Sequence, residues 1–554
     1  MIQRRMLVAV LLAALFALGW WSGRDGGRGE LYANVDKFVE VLHKVDENYV
    51  EPVEPQKLIH GAIDGMLQTL DPYSQYLDAR EYTGLQDVTR GAFTGVGIEV
   101  GLRDHYPTVI TPIEGSPAWE AGIQTGDVIV RVDGKPTTDF SLDDVADALR
   151  GPRNTHVTVE VTREGDTDER KFDLTRREIT VASVPYAFVT GEGVGYVRLA
   201  RFSEDTDAGL QKAIAQLKTA GAKSLVIDLR KNPGGLLEQA VDVAQEFVPK
   251  GSQVVSTRGR IANSTHRYTA QDTKPETAWP MAVLVDEGSA SASEIVAGAL
   301  QDLDRALVVG RTSFGKGSVQ VLYPLHGQAG AVKLTTARYY TPSGRSIHRG
   351  VPSDELDPLA DDSDDESDDD STTAVAPLKA DTVALPIFHT LAGRVVRGGG
   401  GIMPDIEVKA DSLGPVAFNF ERRGLAVRFA RRWNEAHGAQ ASLPTQAEVW
   451  PELARFLESE SIRTPADSLE LERPHLAALA RREIARKRGG DAAAARVALE
   501  TDPDFHRAAA VLARARKAPE VFALARDAGT AAGANGKPAT HTPAAKGGRP
   551  RSSS

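Results

Sequence analysis

Three serines crowd the segment Gly288-Ser289-Ala290-Ser291-Ala292-Ser293-Glu294-Ile295, which joins the apolar run Met281 to Val285 to a stretch with helical apolar spacing at Ile295, Val296, Ala299, Leu300 and Leu303. Small residues at a strand-to-helix turn leave side chains exposed, and the positive end of a helix favours an oxyanion developing beside it. A serine there is either a nucleophile for acyl transfer or an N-cap, because Ser291-Ala-Ser-Glu294 also fits the S-x-x-E capping box. The segment alone leaves both readings open. Cysteine is absent, which excludes disulfides, thiolate zinc sites, iron–sulfur clusters and cysteine nucleophiles. Any nucleophile is therefore an oxygen or an amine.

A second segment, Gly310-Arg-Thr-Ser-Phe-Gly315-Lys316-Gly317-Ser318-Val-Gln320, comes close to the phosphate-binding G-x-x-x-x-G-K-[ST]. Gly317 stands where Ser or Thr would ligate magnesium, and an extended run follows instead of a helix, so a nucleotide site is not indicated. If Lys316 to Tyr323 is a strand, Lys316 and Gln320 share one face and Val319, Val321 and Tyr323 the other. A lysine desolvated among small and apolar neighbours can shed its proton and then accept one from a serine hydroxyl. Gln320 would orient that amine. The alternative is an exposed lysine in a glycine loop.

The elements needed to position these residues can be read along the chain. Gly23 to Gly29 is a glycine-rich linker, after which Leu31 to Tyr49 and Leu58 to Leu70 have helical apolar spacing and, with the Asp71-Pro72 turn, form a small helical unit. Gly91 to about Thr175 changes to short β-rich runs separated by Gly and Pro turns, with one helical stretch at Leu142 to Leu149. From Val194 to about Thr341, runs such as Ser224 to Leu229 alternate with helical patterns at Gly209 to Ala220 and Leu236 to Phe247, which indicates an α/β layer. Asp411 to about Lys517 reads as Arg- and Ala-rich helix without evident chemistry. The 554 residues thus divide into several domains.

The net charge of -11 resides in one segment, since Ser353 to Thr373 carries eleven acidic and no basic residues. The remaining chain is balanced, and no basic footprint supports nucleic-acid binding. The acidic stretch is too charged to fold, and Gly533 to Ser554 is a Gly/Ala/Pro/Ser tail. Calcium binding by Asp361 to Asp370 is disfavoured because no glycine stands at the turn position of an EF-hand loop. At the amino end, Arg4 and Arg5 precede an uncharged apolar run from Met6 to Trp21, the pattern of an export signal. Trp20 and Trp21 favour retention as an anchor, with the arginines cytoplasmic and the rest of the chain outside.

Gly95-Val96-Gly97-Ile98 opens a strand, and a glycine-flanked turn of this kind can aim backbone N–H groups at a carboxylate. Together with Gly115-Ser-Pro-Ala118, Ala121-Gly122 and Gly126-Asp127-Val-Ile-Val-Arg-Val-Asp133-Gly134, it resembles PDZ domains over the whole module. The resemblance implies that Gly95, Val96, Gly97 and Ile98 form the carboxylate loop and that an extended peptide adds to the sheet as a strand.

Ser291, Lys316 twenty-five residues later and Gln320 four beyond resemble the Ser/Lys/Gln set of carboxyl-terminal processing, or tail-specific, peptidases. Also similar are Thr69-Leu-Asp-Pro-Tyr-Ser-Gln-Tyr-Leu77, Gly195-Tyr-Val-Arg-Leu, Asp228-Leu-Arg-Lys-Asn-Pro-Gly234-Gly235, Ala337-Arg-Tyr-Tyr-Thr-Pro-Ser-Gly-Arg345-Ser-Ile and Gly398-Gly-Gly-Gly-Ile-Met-Pro-Asp-Ile406. The resemblance spans about Leu31 to Val408. It implies Ser291 as nucleophile, Lys316 as general base and Gln320 as its orienter. The N–H groups of Ala292 and of Gly234 or Gly235 would form the oxyanion hole, with Asp302 and Glu294 as supporting acids. The long segment between Ile347 and Pro404 departs from the family.

The implied fold is multidomain α/β: a tail-specific protease core of mixed sheet and packed helices, a β-rich PDZ domain, and helical N- and C-terminal regions. The expected boundaries are 1–22 signal or anchor, 30–90 helical N-terminal part, 91–175 PDZ domain, 176–410 peptidase core with a disordered insertion at 353–375, 411–517 helical region and 518–554 disordered tail. The expected protein is an exported, periplasmic or otherwise extracytoplasmic endopeptidase held at the inner membrane, needing no metal or cofactor. Its expected partners are unfolded or tagged proteins bound by their C termini, an adaptor protein, and a second copy of itself. The non-enzymatic alternative is a PDZ scaffold on an inactive peptidase fold. A Ser-His-Asp protease with a PDZ domain would place a G-N-S-G-G-like word before that domain, where there is none; His266 and His326 have no carboxylate word nearby.

Overall fold

The computed structural model describes residues 26–103, 106–163, 168–271, 275–326, 330–349, 385–410, 413–438, 442–460 and 466–526. The export segment 1–22, the acidic insertion 353–375 and the tail beyond residue 526 lie outside the described residues. Among the described residues no helix is long and apolar enough to cross a membrane. The chain forms two compact units, one of residues 1–82 and 320–335, the other of residues 83–319 and 336–554.

In the first unit, helices Gly26–Asn48 and Pro55–Gln68 precede a short strand, Gln75–Leu77. That strand pairs antiparallel with the start of the strand Ala331–Tyr340, Tyr76 opposite Val332. The first helix begins inside the glycine stretch read as a linker, because extending a helix costs far less than nucleating one. Its Val35, Phe38 and Val39 remain exposed, so here the periodicity marks a helix without marking a buried face.

The second unit contains the β-rich module. Strands Ile98–Arg103, Tyr106–Pro112, Val128–Val132, His156–Thr162 and Arg170–Thr175 form one antiparallel sheet, with Lys135–Pro136 at its side and helices Pro117–Ala121 and Leu142–Leu149. Val157, Val159 and Val161 are buried while the residues between them are not, the alternation of a strand with one covered face. They close on Val96, Val109, Ile129, Val145 and Leu174. A two-stranded ribbon, Ala92–Gly95 against Arg177–Thr180, brackets the module.

The core of this unit is a six-stranded sheet in the order Ala187–Val189, Val194–Arg198, Ser224–Asp228, Met281–Val285, Leu307–Gly310, Ile406–Glu407. All neighbours run parallel except the first pair. Every residue of Ser224–Asp228 and Met281–Val285 is buried, as expected of parallel strands covered on both faces. Helices Thr206–Thr219, Leu237–Gln245 and Ala292–Asp302 cover one face. The other face is covered from the far end of the chain: Phe505, Ala508, Val511 and Leu512 of helix Pro503–Leu512 pack with Tyr196, Val226, Ala282, Leu284, Leu307 and Val309. Val521, Phe522 and Ala525 join this cluster, which corrects the expected start of the tail at 518. The apolar face of the sheet needs a cover, and these residues supply it. Three further helices, Pro415–Arg422, Leu425–His437 and Gln446–Ser459, build a separate core with the segment Ala466–Leu499, which is helical on either side of a kink at Gly489-Gly490.

Helix Ala292–Asp302 is entirely buried. At its far end, about 16 Å from Ser291 along the axis, Asp302 meets Arg345 at 2.8 Å, both side chains fully buried. Thr341 Oγ1 and the Ser343 N–H also donate to Asp302. Asp302 is thus an anchor for the helix. Because removing one partner strands a buried charge, Asp302→Ala is expected to lower stability by about 3–5 kcal/mol in urea unfolding; a loss below about 1 kcal/mol would contradict this reading.

Candidate active site

The carboxyl ends of Ser224–Asp228, Met281–Val285 and Leu307–Gly310 each run into a loop of the site, the usual place for chemistry on a parallel sheet. Of the three serines, Ser289 donates its hydroxyl to the Leu229 carbonyl and Ser293 to the Asn232 carbonyl, each at 2.9 Å, and both are fully buried. Ser291 is half-buried and caps the helix with φ +55° and ψ −114°. A non-glycine residue there carries strain on the order of 1–3 kcal/mol and persists only where its surroundings impose it. Asn232 O accepts the Ala290 N–H at 3.0 Å, and Asp286 Oδ1 accepts the N–H groups of Lys231 at 2.7 Å and Gly288 at 3.0 Å.

Glu294 imposes most of the rest. Its Oε2 accepts the Ser291 N–H and the Lys316 N–H, each at 2.9 Å, while Oε1 accepts the Gly315 N–H at 2.7 Å and the Ser313 hydroxyl. Burial raises the Glu294 carboxyl above its ordinary value, and these donors oppose the rise. Tyr339 grips the same two residues by their carbonyls. Its hydroxyl lies 3.2 Å from Ser291 O and also bonds Lys316 O, and its N–H donates to Gly317 O. One carboxylate and one phenol therefore hold the backbones of Ser291 and Lys316 together. The S-x-x-E word carried half of this, since Glu294 does reach the cap N–H. Tyr339 lies in the Ala337-to-Ile347 word, and no local pattern there marks its contact with Ser291.

Lys316 is half-buried and precedes the strand, which spans Ser318–Pro324. The strand thus begins two residues later than the expected start at Lys316, whose N–H is taken by Glu294. Gln320 belongs to the first unit. There its Nε2 donates to Thr335 Oγ1 at 3.2 Å, and Thr335 Oγ1 donates to Asp71 Oδ1 at 3.1 Å. Asp71 also accepts the N–H groups of Tyr73 and Ser74 and the Ser74 hydroxyl. Burial would raise the Asp71 carboxyl, but these hydrogen bonds hold it below its ordinary value. The Leu-Asp-Pro-Tyr-Ser word is thus a turn whose aspartate orients Thr335 toward Gln320.

Gly234 and Gly235 cannot carry side chains. A Cβ on Gly234, at φ +98°, would lie 2.8 Å from Ser291 Cβ and 2.9 Å from Ala292 N; one on Gly235, at φ +146°, would lie 2.0 Å from Phe202 O. The Gly234 N–H donates to Asn232 Oδ1 at 2.9 Å. In the β-rich module, Gly95, Val96 and Gly97 are buried and Ile98 half-buried. Val96 O accepts the Ala118 N–H at 3.0 Å, and Gly97 O accepts Ile113 N–H at 2.9 Å and the Ser116 hydroxyl at 3.1 Å. Carbonyl and N–H of a trans peptide point oppositely, so the N–H groups of Gly97 and Ile98 face away from these partners.

Three family models match the chain: the activating protease CtpB N-terminal domain at residues 23–81, the PDZ domain at 108–163 and peptidase family S41 at 193–356. A carboxy-terminal-processing protease of Bartonella bacilliformis is 45% identical over 320 residues, 57% of this chain and 73% of the relative. A carboxyl-terminal-processing protease of Synechocystis sp. is 39% identical over 318 residues, 56% and 74% of the two chains. Carboxy-terminal processing protease CtpB of Bacillus subtilis is 36% identical over 318 residues, 57% and 66%. The solved structure of a photosystem II D1 C-terminal processing protease is 30% identical and covers 68% of this chain and 93% of its own at a TM-score of 0.36. The chain belongs to the carboxy-terminal-processing proteases, serine-type peptidases of family S41, and carries a PDZ domain.

Asp228 ends its strand wholly buried. Burial would raise its carboxyl, but Arg230, with Arg198 and the Tyr196 hydroxyl, holds it at about 2. A value below its ordinary 3.8 means that it contributes stability above about pH 4, lost as pH falls toward about 2. Thermal melts from neutral pH down to about pH 2 should show the wild type losing on the order of 2 kcal/mol more than Asp228→Asn; parallel curves would contradict the assignment.

Proposed function

We propose that the protein is an exported endopeptidase that cleaves peptide bonds through a Ser291 acyl-enzyme with Lys316 as general base. Ser291 Oγ attacks the scissile carbonyl carbon while its proton passes to the neutral Lys316 amine. The C–N bond then breaks, the leaving amine takes that proton, and water hydrolyses the ester with Lys316 again accepting a proton. No step requires a metal or cofactor. The observation that carries the reading is Ser291, strained at a strand-to-helix turn and tied to Lys316 by one Glu294 oxygen. Gln320, whose amide is held by Thr335 and Asp71, is the residue to which the family resemblance assigns the orientation of the amine. Ala292 N–H and Gly235 N–H receive the oxyanion, since the Gly234 N–H is committed to Asn232 and Gly234 serves by approaching Ser291 closely.

The substrates are unfolded or tagged proteins whose carboxyl ends enter the PDZ domain at Gly95 to Ile98. The inward carbonyls of Val96 and Gly97 support this reading by leaving the adjoining N–H groups turned outward for a carboxylate. The match to an activating-protease N-terminal domain supports an adaptor as a further partner. Arg4, Arg5 and the run Met6 to Trp21 support export with retention at the inner membrane. An inactive scaffold is the poorer reading, because Ser291, Lys316 and Gln320 are all present in a chain that belongs to a peptidase family.

The chain from Glu30 to Ser554 is expected to degrade an unfolded protein with an apolar carboxyl end in a gel assay, and a fluorophosphonate probe is expected to label it. Ser291→Ala and Lys316→Ala should each lower turnover by about three orders of magnitude or more. Undiminished cleavage by Ser291→Ala would overturn the mechanism. Gly234→Ala should abolish turnover, its Cβ colliding with Ser291, and retained activity would remove Gly234 from the site.

A further inference from the structure

The helix Pro503–Leu512 does more at its amino end than cover the sheet. Asp502 caps it, accepting the Phe505 N–H at 3.0 Å, and also meets Arg230 through Oδ1 at 3.0 Å and Oδ2 at 2.7 Å. Asp504, almost wholly buried, uses one oxygen for two cations: Oδ2 lies 2.9 Å from Arg230 Nη1 and 3.3 Å from Arg311 Nη1. Its other oxygen, Oδ1, is buried with no hydrogen-bond partner among the described residues. A cap for the helix alone would leave Asp504 in water; here it is aimed at two guanidinium groups.

Those two arginines open the two loops of the site. Arg230 heads the segment Arg230–Gly235, whose Lys231 N–H reaches Asp286, whose Asn232 carbonyl holds Ala290 and Ser293, and whose Gly234 abuts Ser291. Arg311 heads the segment that leads through Ser313 and Gly315 to Lys316, and it is also paired with Glu287 at 3.0 Å, beside the turn to Ser291. We propose that Asp502 and Asp504 are positioning residues of the peptidase: they set the heads of the Gly234–Gly235 loop and the Lys316 loop through Arg230 and Arg311, so that the C-terminal helix completes the site. The inference rests on the Ser291/Lys316 reading. The Arg230–Asp502 pair is forked and largely buried, and such a pair fixes direction as well as distance; Asp504 ties the two arginines to each other through its shared Oδ2, and sub-ångström errors in such loops are costly to a reaction that depends on alignment.

The test is steady-state kinetics of the full chain on an unfolded protein substrate, alongside thermal melts and the rate of fluorophosphonate labelling. Asp504→Asn keeps the volume and removes the charge. It is expected to lower kcat and the labelling rate by about tenfold or more, with KM within about twofold of wild type and the fold retained. Its effect should shrink in an Arg311→Gln background, because the two changes remove one connection. Should Asp504→Asn fail to fold, Arg311→Lys keeps the charge, loses the fork, and should lower kcat several-fold by itself. Unchanged kcat in whichever of these variants folds, or a rise in KM alone, overturns the positioning role of Asp502 and Asp504 while leaving the mechanism intact if Ser291→Ala is inert. Full activity in Ser291→Ala overturns the mechanism and the positioning role with it.

Discussion

The site depends on one buried carboxylate. Glu294 accepts the backbone N–H groups of both Ser291 and Lys316 on a single oxygen, so the separation of two residues from different loops is set by hydrogen bonds to a rigid helix. A side-chain contact between two long flexible groups would not set it so well, because rotamer entropy opposes it. Tyr339 applies the same constraint from the carbonyl side. The strain at Ser291 is tolerable because these contacts, with Asn232 and Asp286 behind them, overdetermine the turn.

The arrangement also separates two uses of acidic residues on one helix. Asp302 sits at the carboxyl end against a fully buried arginine and fixes the helix in the core. Glu294 sits at the amino end, where the helix dipole favours negative charge, and its donors are almost all backbone groups of the loops it organises. Burial resists ionisation at that position, and the dense set of donors favours it. The same chemistry recurs at Asp71, whose acceptors hold a turn and, through Thr335, the amide of Gln320.

Much of this was legible in the residues themselves. Met281 to Val285 and Leu142 to Leu149 coincide with a strand and a helix of the same limits, because each is a short apolar pattern bounded by strong turn or cap residues. Ser291 was legible because three serines stand where the pattern changes from strand to helix. The contacts that organise the site were less so. Tyr339 reaches Ser291 across 48 positions and Arg230 meets Asp504 across 274, and no local periodicity encodes either pairing. The strand read from Lys316 begins at Ser318 instead, because the Lys316 N–H is taken by a carboxylate on another element and no local pattern encodes that. The C-terminal region lacked visible chemistry because its role is carried by two aspartates at a helix start, a pattern that caps many ordinary helices.

The central sheet takes its second cover from residues 505–525, and this has a consequence for how the molecule is made. At roughly 5–20 residues per second, the ribosome needs on the order of 15–60 s to pass from Asp228 to Phe505. From its own synthesis until then, each of the segments Ser224–Asp228 and Met281–Val285 lacks the residues that cover its second apolar face. A nascent chain therefore carries its serine and lysine long before it can close the sheet that supports them, and a chain terminated early would present that face to its neighbours as an adhesive surface.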